Sequence, residues 1–385
     1  MSYRGRVALL TYSTKPRGGV VHTLALAEAL AAIGVDVHVY ALGAENDRFY
    51  RPTAVPHTLF PVPTGTDGSL EEKVFASVDA LATGLARHAD AYDLLHAQDC
   101  ISGRAATRVR DEHDGPPVIR TVHHVDDFTT PALIDCQRRA IVEPDHLLVV
   151  SEQWRAILRA EYGVDARVVR NGVDPARFPP VSAERRRRTR ARIGVDGRFL
   201  FLAVGGIEPR KGSMALFRAL GLLRGRGRHP VLAILGGHSF RDYEPYRRAA
   251  LALLPDLGLR LGADVVQVGT VDDGQLAAWY RSADALAYPS VMEGFGLVAL
   301  EALAADLPVV ASDLPVFREF LTDGRDALLP GVDDPVALAD ALERVMTDAR
   351  LRATLVAGGR AVVPAYRWSA TAERHAEIYA ALRPA

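Results

Sequence analysis

The sequence is poor in cysteine and in long apolar runs. Its 385 residues include two cysteines, Cys100 and Cys136, with no CxxC or Cys/His spacing. This excludes a disulfide framework and a cysteine-ligated zinc site. No stretch approaches 18 uninterrupted apolar residues, so no transmembrane helix is expected. The apolar run at 7–10 is too short for the hydrophobic part of a signal peptide. We therefore expect a cytoplasmic protein.

The chain also lacks an excess of either charge. It has 46 basic and 47 acidic residues, a net charge of -1, which excludes general polybasic binding to nucleic acid or anionic lipid. The arginine run at 185–188 is interpreted as a solvated helix face at a linker, with a nucleic-acid or lipid patch as the alternative. Lysine is scarce against arginine, which indicates a GC-rich bacterial coding genome. Lys15 and Lys211 nevertheless stand beside glycines.

Short apolar runs alternate with helical patterns in two series. The first series starts at the predicted strand 7–12 and the second at 199–204, after a proline- and arginine-rich break. This alternation predicts an α/β protein with two Rossmann-like, doubly wound parallel-sheet domains. Such sheets bind ligands at the carboxyl ends of their strands.

The break and the end of the chain predict the domain limits. We expect an N-terminal domain over 1–180 and a C-terminal domain over 181–365. The amphipathic helix within 366–385 is predicted to cross back and pack on the first domain. Two such domains facing each other would enclose an interdomain cleft, which is a favoured place for ligands.

Three glycine-rich turns each follow a predicted strand and open a helix. They are Lys15-Pro16-Arg17-Gly18-Gly19, the turn from Gly205 to Gly212, and Gly236-Gly237-His238. Glycines let backbone N–H groups approach a ligand, and the helix N-terminus favours an anion. In the second turn, Arg210 and Lys211 suit a diphosphate. Neither GxGxxG nor a Walker A order is present, and the third turn is equally well a plain turn.

Two glutamates flank a further strand-to-helix turn. Glu293 lies in the loop after a predicted strand, and Glu301 lies about one and a half turns into the next helix. Carboxylates accept hydrogen bonds from sugar hydroxyls. Glu301 is flanked by apolar residues, where an unpaired charge is costly, which favours a bound partner over a merely acidic helix start.

Together these motifs closely resemble the retaining glycosyltransferases of family 4, which have the GT-B fold. The resemblance covers essentially the whole chain and includes the stretches 171–174 and 312–315. Its most specific part is the motif Glu293-Gly294-Phe295-Gly296 with Glu301. It implies a hexosyltransferase that moves a sugar from a nucleoside diphosphate to an acceptor hydroxyl and retains the anomeric configuration by front-face substitution.

The resemblance also implies roles for individual residues. Glu301 would bind the nucleotide ribose, Glu293 and the backbone of 295–297 would contact the donor sugar, and His123 would lie near the transferred sugar. Arg210 and Lys211 would form the diphosphate clamp. The expected catalytic set is His123, Arg210, Lys211 and Glu293; the expected donor-binding set is Gly18, Gly19, Gly206, Val268, Phe295, Gly296, Leu297 and Glu301.

One position departs from the family pattern. The family often has arginine directly after the strand glycine, where this chain has Gly206. We expect Arg210, four residues later, to supply that cation. Gly19 would support the clamp from the first domain, and backbone near Val268 would recognise the base.

The histidines and acids of the first domain leave choices open. The stretch 123–127, His-His-Val-Asp-Asp, also suits a metal. The chain has no DxD motif, and fixed cations can neutralise a leaving diphosphate, so we expect no metal and no other cofactor. Asp126 is a candidate acceptor residue. His96 and Asp99, at the end of another strand, would either contact the acceptor or cap a helix.

The sequence leaves the substrates partly open. UDP or GDP is the expected nucleotide, and a small soluble acceptor is favoured over a lipid because the first domain is not basic. Two other functions stay open: a nucleotide-sugar 2-epimerase of the same fold, and a non-catalytic nucleotide-sugar binding protein. The acceptor, the linkage and the oligomeric state are not specified by any motif.

Overall fold

The computed structural model describes residues 3–44, 46–62, 68–195, 197–237 and 243–382. Contacts divide the chain into two compact units. The first contains residues 1–172 and 367–385, and the second contains 173–366.

The first unit is built on a parallel sheet with the strand order β3-β2-β1-β4-β5-β6-β7 in its described part. The central strand β1 is almost wholly apolar and its residues 7–10 are fully buried. The strands are β1 (Arg6–Leu10), β2 (Asp36–Gly43), β3 (His57–Pro61), β4 (Leu94–Ala97), β5 (Val118–Val122), β6 (His146–Val149) and β7 (Arg167–Val168).

The helices of this unit connect its strands and begin at identifiable caps. Ser69 and Asp99 each accept a hydrogen bond from the backbone three residues later, and Ser151 accepts one from Trp154 N. Such caps satisfy N–H groups that the helix itself leaves open. The helices are α1 (Gly18–Ala32), α2 (Leu70–Leu85), α3 (Cys100–His113), α4 (Pro131–Val142) and α5 (Glu152–Tyr162), with a 3₁₀ turn at Ala89–Ala91.

The second unit repeats the same plan on a smaller parallel sheet with the order β10-β9-β8-β11-β12. Its core is formed by apolar side chains of these strands and of the helices that cover them. In chain order the elements are α6 (Ala183–Ala191), β8 (Leu200–Val204), α7 (Ser213–Gly225), β9 (Val231–Leu235), α8 (Glu244–Ala252), β10 (Val265–Gly269), α9 (Asp273–Ser282), β11 (Ala285–Tyr288), α10 (Leu297–Ala304), β12 (Val309–Ala311), α11 (Pro315–Arg318), α12 (Pro335–Thr347) and α13 (Ala349–Val362). Short 3₁₀ helices lie at Pro175–Arg177, Pro209–Lys211 and Val363–Ala365.

The final helix returns to the first unit. Helix α14 (Trp368–Ala381) packs on α1, where the rings of His375 and His22 lie 6.3 Å apart. Tyr379 OH lies 2.7 Å from His96 Nδ1 on β4. The predicted GT-B architecture, with two Rossmann-like units and a returning C-terminal helix, is confirmed.

Some local expectations differ from the structure. Strand β3 and helices α4, α11 and α13 had no predicted counterpart. Residues 173–180 were assigned to the first domain but lie with the second unit, because Arg281 Nη2 donates to Phe178 O at 2.6 Å and the Phe178 ring packs edge-on against Tyr280. His238, of the third glycine turn, and Arg241, after which a helix was predicted, lie outside the described residues; α8 starts at Glu244.

The arginine run forms helix α6, and most of its described cations are paired. Arg186 and Arg190 both contact Asp284, at 2.6 and 2.9 Å. Arg185 donates to Gly274 O at 3.2 Å. Arg185 and Arg186 therefore help to fasten α6 to the remainder of the second unit, and residues 185–188 are all exposed, as expected for a solvated helix face.

Candidate functional site

Three strands of the second sheet end in glycines that approach one another. Gly205 N donates to Leu235 O at 2.6 Å, and Gly236 N donates to Gly269 O at 3.0 Å. A Cβ on Gly236 would lie 2.7 Å from the Gly205 backbone, so a side chain there would force the strand ends apart. Both glycines have positive φ, 128° and 138°, which other residues rarely adopt.

The same packing explains the departure at Gly206. A Cβ on Gly206 would lie 2.8 Å from Gly237 O and 3.0 Å from Glu208 Oε1. An arginine at this position would therefore clash with the neighbouring turn. The chain places its cation at Arg210 instead, in the 3₁₀ turn before α7.

A close backbone contact sets Lys211 opposite the glutamate loop. Gly212 has φ of 64°, and a Cβ there would lie 2.0 Å from Pro289 O. Val291 N donates to Arg210 O at 2.9 Å. Because the two loops meet through their backbones, the side chains that flank the contact are brought together.

Lys211 and Glu293 form a buried ion pair at this contact. Lys211 Nζ donates to Glu293 Oε1 at 2.6 Å and to Tyr288 OH at 3.0 Å. Ser290 Oγ also donates to Glu293 Oε1, at 2.8 Å. The Lys211 and Glu293 side chains are 12% and 8% exposed. These bonds account for two of the three N–H donors of the ammonium group.

The ion pair controls the charge of Glu293. Burial raises the pKa of this carboxyl, but the positive charges of Lys211 and Arg210 have the larger, opposite effect. The pKa is therefore lowered from its ordinary 4.5 to about 2. Burial lowers the pKa of Lys211, and Glu293 opposes that change. Each charge therefore opposes the effect that burial has on the pKa of its partner.

Arg210 is the more accessible cation. Its side chain is 48% exposed, and it lies 3.4 Å from Glu208 and 3.6 Å from Glu293. Glu208 is 7% exposed. The guanidinium is thus held by two acids while it remains open to a ligand.

The start of α10 offers backbone donors next to this cluster. Gly296 caps the helix with φ of 98°, and the cap has no side-chain hydrogen bond. The Phe295 side chain is 3% exposed and stacks on Phe320, with ring centroids 5.2 Å apart. Phe295 and Gly296 are buried, whereas Leu297, the first residue of α10, is partly exposed, and the helix terminus favours negative charge.

Glu301, farther along α10, has one oxygen fixed. Tyr280 OH donates to Glu301 Oε2 at 2.8 Å, and Glu301 is 8% exposed. No hydrogen bond to Oε1 is present among the described residues. Burial raises the pKa of this carboxyl, and the Tyr280 bond opposes that rise. An incompletely satisfied buried carboxylate is costly unless a ligand donates to it.

Val268 lies at an irregularity of strand β10. The pairing with β9 passes from Gln267–Ile234 to Gly269–Leu235, so Val268 is left out of the register. Gly269 has φ of 81°. The bulge leaves the Val268 backbone outside the hydrogen-bond ladder between β9 and β10. A residue that contacts a ligand through its backbone needs groups that the ladder does not use.

The first unit gathers Gly19 and His123 at the carboxyl ends of β4 and β5. Gly18 and Gly19 open α1. A Cβ on Gly19 would lie 3.8 Å from Gln98 O and 3.9 Å from His123 Cδ2, so the helix start lies against these residues. His123 Nε2 lies 3.1 Å from Gln98 Oε1.

The three candidate acceptor residues have different surroundings. His96 is fully buried, and its nitrogens lie 2.7 Å from Tyr379 OH and 2.8 Å from Thr121 Oγ1, so neither is left for an acceptor. Asp99 accepts a hydrogen bond from Ser102 N at 2.7 Å and so caps α3. Helix capping was the alternative to acceptor binding that the sequence left open. The Asp126 side chain is 41% exposed, which leaves it accessible.

The stretch 123–127 does not gather metal ligands. His123 faces Gln98, whereas His124 Nε2 lies 3.6 Å from Asp126 Oδ1 at the surface. In the described ranges, no group of three or more histidine, cysteine or acidic side chains is placed to hold a metal ion.

Several residues of the site were not predicted from the sequence. Ser290 and Tyr280 hold the two key glutamates, Tyr288 accepts a hydrogen bond from Lys211, and Gln98 contacts His123. Tyr288 and Ser290 lie inside the stretch that contains Glu293, and this proximity was the only feature of the sequence that pointed to them. Tyr280 had no signal, since it lies on another helix and its contact depends on packing.

Comparison with known proteins agrees with this architecture. Residues 16–177 match the family model for Glycosyltransferase Family 4, and residues 198–348 match that for Glycosyl transferases group 1. Curated relatives include a D-inositol 3-phosphate glycosyltransferase from Xylanimonas cellulosilytica, 32% identical over 413 residues, covering 97% of this chain and 96% of the relative. Another of that name, from Salinispora arenicola, is 30% identical over 416 residues, covering 97% and 91%.

Solved structures show the same fold. Sucrose-phosphate synthase from Thermosynechococcus elongatus is 25% identical with a TM-score of 0.81, covering 98% of this chain and 99% of that one. Anabaena HepE in complex with UDP-glucose is 18% identical, with a TM-score of 0.81 and coverage of 98% and 100%. The fold and site thus define a GT-B glycosyltransferase.

The chain belongs to the group 1, family 4 glycosyltransferases, and it is an enzyme of glycosyl transfer. None of the helices in the described ranges is both long and apolar enough to span a membrane.

Proposed function

We propose that this enzyme transfers a hexosyl unit from a nucleoside-diphosphate sugar, UDP or GDP, to a hydroxyl of a small soluble acceptor, with retention and without a metal. The reaction breaks the bond between the anomeric carbon and the β-phosphate oxygen. It forms the new glycosidic bond on the same face of the sugar, and the acceptor proton passes to the leaving phosphate.

The observation that carries this proposal is the state of Glu301. Its carboxylate is 8% exposed, with Oε2 held by Tyr280 and no partner for Oε1 among the described residues. Two neighbouring ribose hydroxyls supply the donors that such a group needs. This requirement favours a ribonucleotide over other anions.

The two cations of the site support a role in stabilising the leaving group. Negative charge develops on the β-phosphate as the glycosidic bond breaks. Arg210, half exposed, and Lys211, with a further N–H donor, would stabilise that charge, helped by the N–H groups that start α10. Glu293 would then orient the sugar hydroxyls while it keeps Lys211 charged.

Donor binding and transfer can be tested one after the other. A thermal-shift screen of UDP-, GDP-, ADP- and TDP-sugars identifies the donor, because a ligand stabilises the folded state that binds it. HepE, solved with UDP-glucose, makes that sugar the first choice. An acceptor panel should include D-inositol 3-phosphate, after the names of the relatives.

The Arg210→Ala variant tests the clamp. We expect turnover to fall by about 10²–10³-fold, the usual effect of removing one charge-stabilising donor, and the unfolding temperature to fall only slightly, because Arg210 is half exposed although it lies 3.6 Å from Glu293. Near-normal turnover would remove the clamp from the mechanism. Chelator treatment that abolishes transfer would contradict the metal-free route.

The same assay separates the alternatives. Incubation with donor alone would yield an epimer if the enzyme were a 2-epimerase. Donor binding without transfer to any member of the acceptor panel would favour a non-catalytic binding protein. Proton NMR of the product shows whether the anomeric configuration is retained.

A further inference from the structure

Gln98 is a buried residue whose side chain contacts His123. It is the first residue after β4 and precedes the Asp99 cap of α3. Its backbone N–H donates to Leu10 O at 3.0 Å, and the residue is 2% exposed. A buried amide at this place needs a reason, because each of its polar atoms loses water on folding.

The side-chain amide of Gln98 contacts His123 through its oxygen. Its Oε1 lies 3.1 Å from His123 Nε2, and its Nε2 has no hydrogen-bond partner among the described residues. A carbonyl oxygen only accepts hydrogen bonds, so the proton of a neutral His123 belongs on Nε2. The lone pair is then on Nδ1, for which the described residues provide no partner, and His123 as a residue is only partly buried.

The surroundings of His123 keep its ring uncharged. Burial holds the pKa of His123 well below its ordinary value, and the groups that face it add to this effect: His22 on α1, His124 beside it, His96 on β4 and Arg120 on β5. The His22 ring packs edge-on against it, with centroids 4.6 Å apart. A carboxylate in place of Gln98 would favour the imidazolium form, whereas an amide does not.

We propose that Gln98 is a positioning residue that holds His123 as one neutral tautomer, with Nε2–H donated to the amide and the Nδ1 lone pair available to accept a carbohydrate hydroxyl. The part about the hydroxyl rests on the proposed function. His123 would then orient its substrate by a hydrogen bond and would not act as a general acid. Gln98 itself does not touch the substrate.

The tautomer can be measured without any activity. In full-length protein labelled with ¹⁵N-histidine, two-bond ¹H–¹⁵N spectra distinguish the protonated from the unprotonated ring nitrogen, and the His123→Asn variant assigns the signals. We expect His123 to be neutral with the proton on Nε2 from pH 6 to 8. A proton on Nδ1, or a charged ring in this range, would overturn the proposal.

The isosteric variants then test Gln98 itself. Gln98→Met keeps the volume and removes the hydrogen bond, so both tautomers should appear and kcat should fall about tenfold with little change in the donor KM. Gln98→Glu should raise the proton affinity of His123 and add an acidic limb to the pH–rate profile that the parent enzyme lacks. A single unchanged tautomer in Gln98→Met would refute the assignment.

A matched control separates positioning from packing. Gln137 is also a buried glutamine of the first unit, 6% exposed, and its amide bonds the backbone of Asp126. Gln137→Met should lower stability to a similar extent and leave the His123 tautomer unchanged. If the protein shows no transferase activity at all, the proposed function fails, while the NMR arm still decides the role of Gln98.

Discussion

The ion pair between Lys211 and Glu293 makes a quantitative prediction about the second unit. The pKa of Glu293 is about 2, against 4.5 ordinarily, and a difference of this size corresponds to about 3 kcal/mol of favourable interaction. Since the folded-state pKa lies below the ordinary value, this stabilisation is present above about pH 4.5 and is lost as the pH falls toward 2. Arg210 supplies part of it, so Lys211 accounts for less than the whole.

Lys211→Met keeps the aliphatic length and removes the charge. At pH 7 this leaves a carboxylate that is 8% exposed without its nearest cation, and we expect a loss of about 2 kcal/mol in the stability of the second unit, less than the whole because Arg210 remains. Glu293→Gln, which removes the other partner, should cost less, because a buried lysine can shed its proton. The double variant should be more stable than the sum of the two losses predicts, by about 2 kcal/mol.

The assay must resolve the two units, because a chain of two units need not unfold in one step. Urea titration followed by hydrogen exchange of peptides from β8 to β12 reports on the second unit alone. The surface pair Glu244–Arg248 on α8, 3.8 Å apart and 42% and 73% exposed, serves as the control. Its coupling should stay below about 0.5 kcal/mol. Additive losses for Lys211 and Glu293, within about 0.5 kcal/mol, would refute the buried pair.

Three further predictions concern other parts of the two units. Wild-type protein should bind UDP at least about tenfold more tightly than 2′-deoxy-UDP, and Glu301→Gln should abolish this preference; equal binding of both nucleotides by the wild type would remove the ribose role. Burial lowers the pKa of His22 to about 3 and that of His375 to about 4. Because these values lie below the ordinary 6.5, the stability of the first unit should decrease as the pH falls below 6.5, by about 2 kcal/mol for each histidine at pH 5; urea midpoints that coincide at pH 7 and pH 5 would contradict this. Arg190→Ala, which breaks bonds to Asp284 and to Ser282 O, should lower the unfolding temperature by several degrees, whereas Arg187→Ala, on the exposed face of α6, should not change it.

The sequence predicted the sheets well because their strands are brief apolar runs. Residues 118–122, 231–235, 285–288 and 309–311 form strands with the predicted bounds. Strand β3 was missed because its segment, His57–Pro61, is half polar and lies at the sheet edge. Edge strands carry little of the periodicity that buried ones show.

The site could be predicted only in part from the sequence. Glu293, Glu301, Arg210 and Lys211 were singled out by spacing and residue type. That spacing did not reveal that Lys211 and Glu293 are bonded to each other, because the contact joins segments 82 positions apart. His96 was a candidate acceptor residue for a similar reason. Its position at the end of a strand was visible in the sequence, but its contact with Tyr379 on the last helix was not.

The pairing changes how the clamp must work. Arg210 and Lys211 pair with Glu208 and Glu293, so this group of four holds as many acidic as basic side chains. If a diphosphate binds here as proposed, an excess of positive charge would therefore not be what attracts it. Its recognition would instead depend on donors that are already held in place: the half-exposed guanidinium, the remaining N–H of Lys211 and the first amides of α10. Because the acids hold the two cations and the helix holds its amides, these donors would need little reorganisation as charge develops on the leaving phosphate, which is the condition under which such donors accelerate a reaction most.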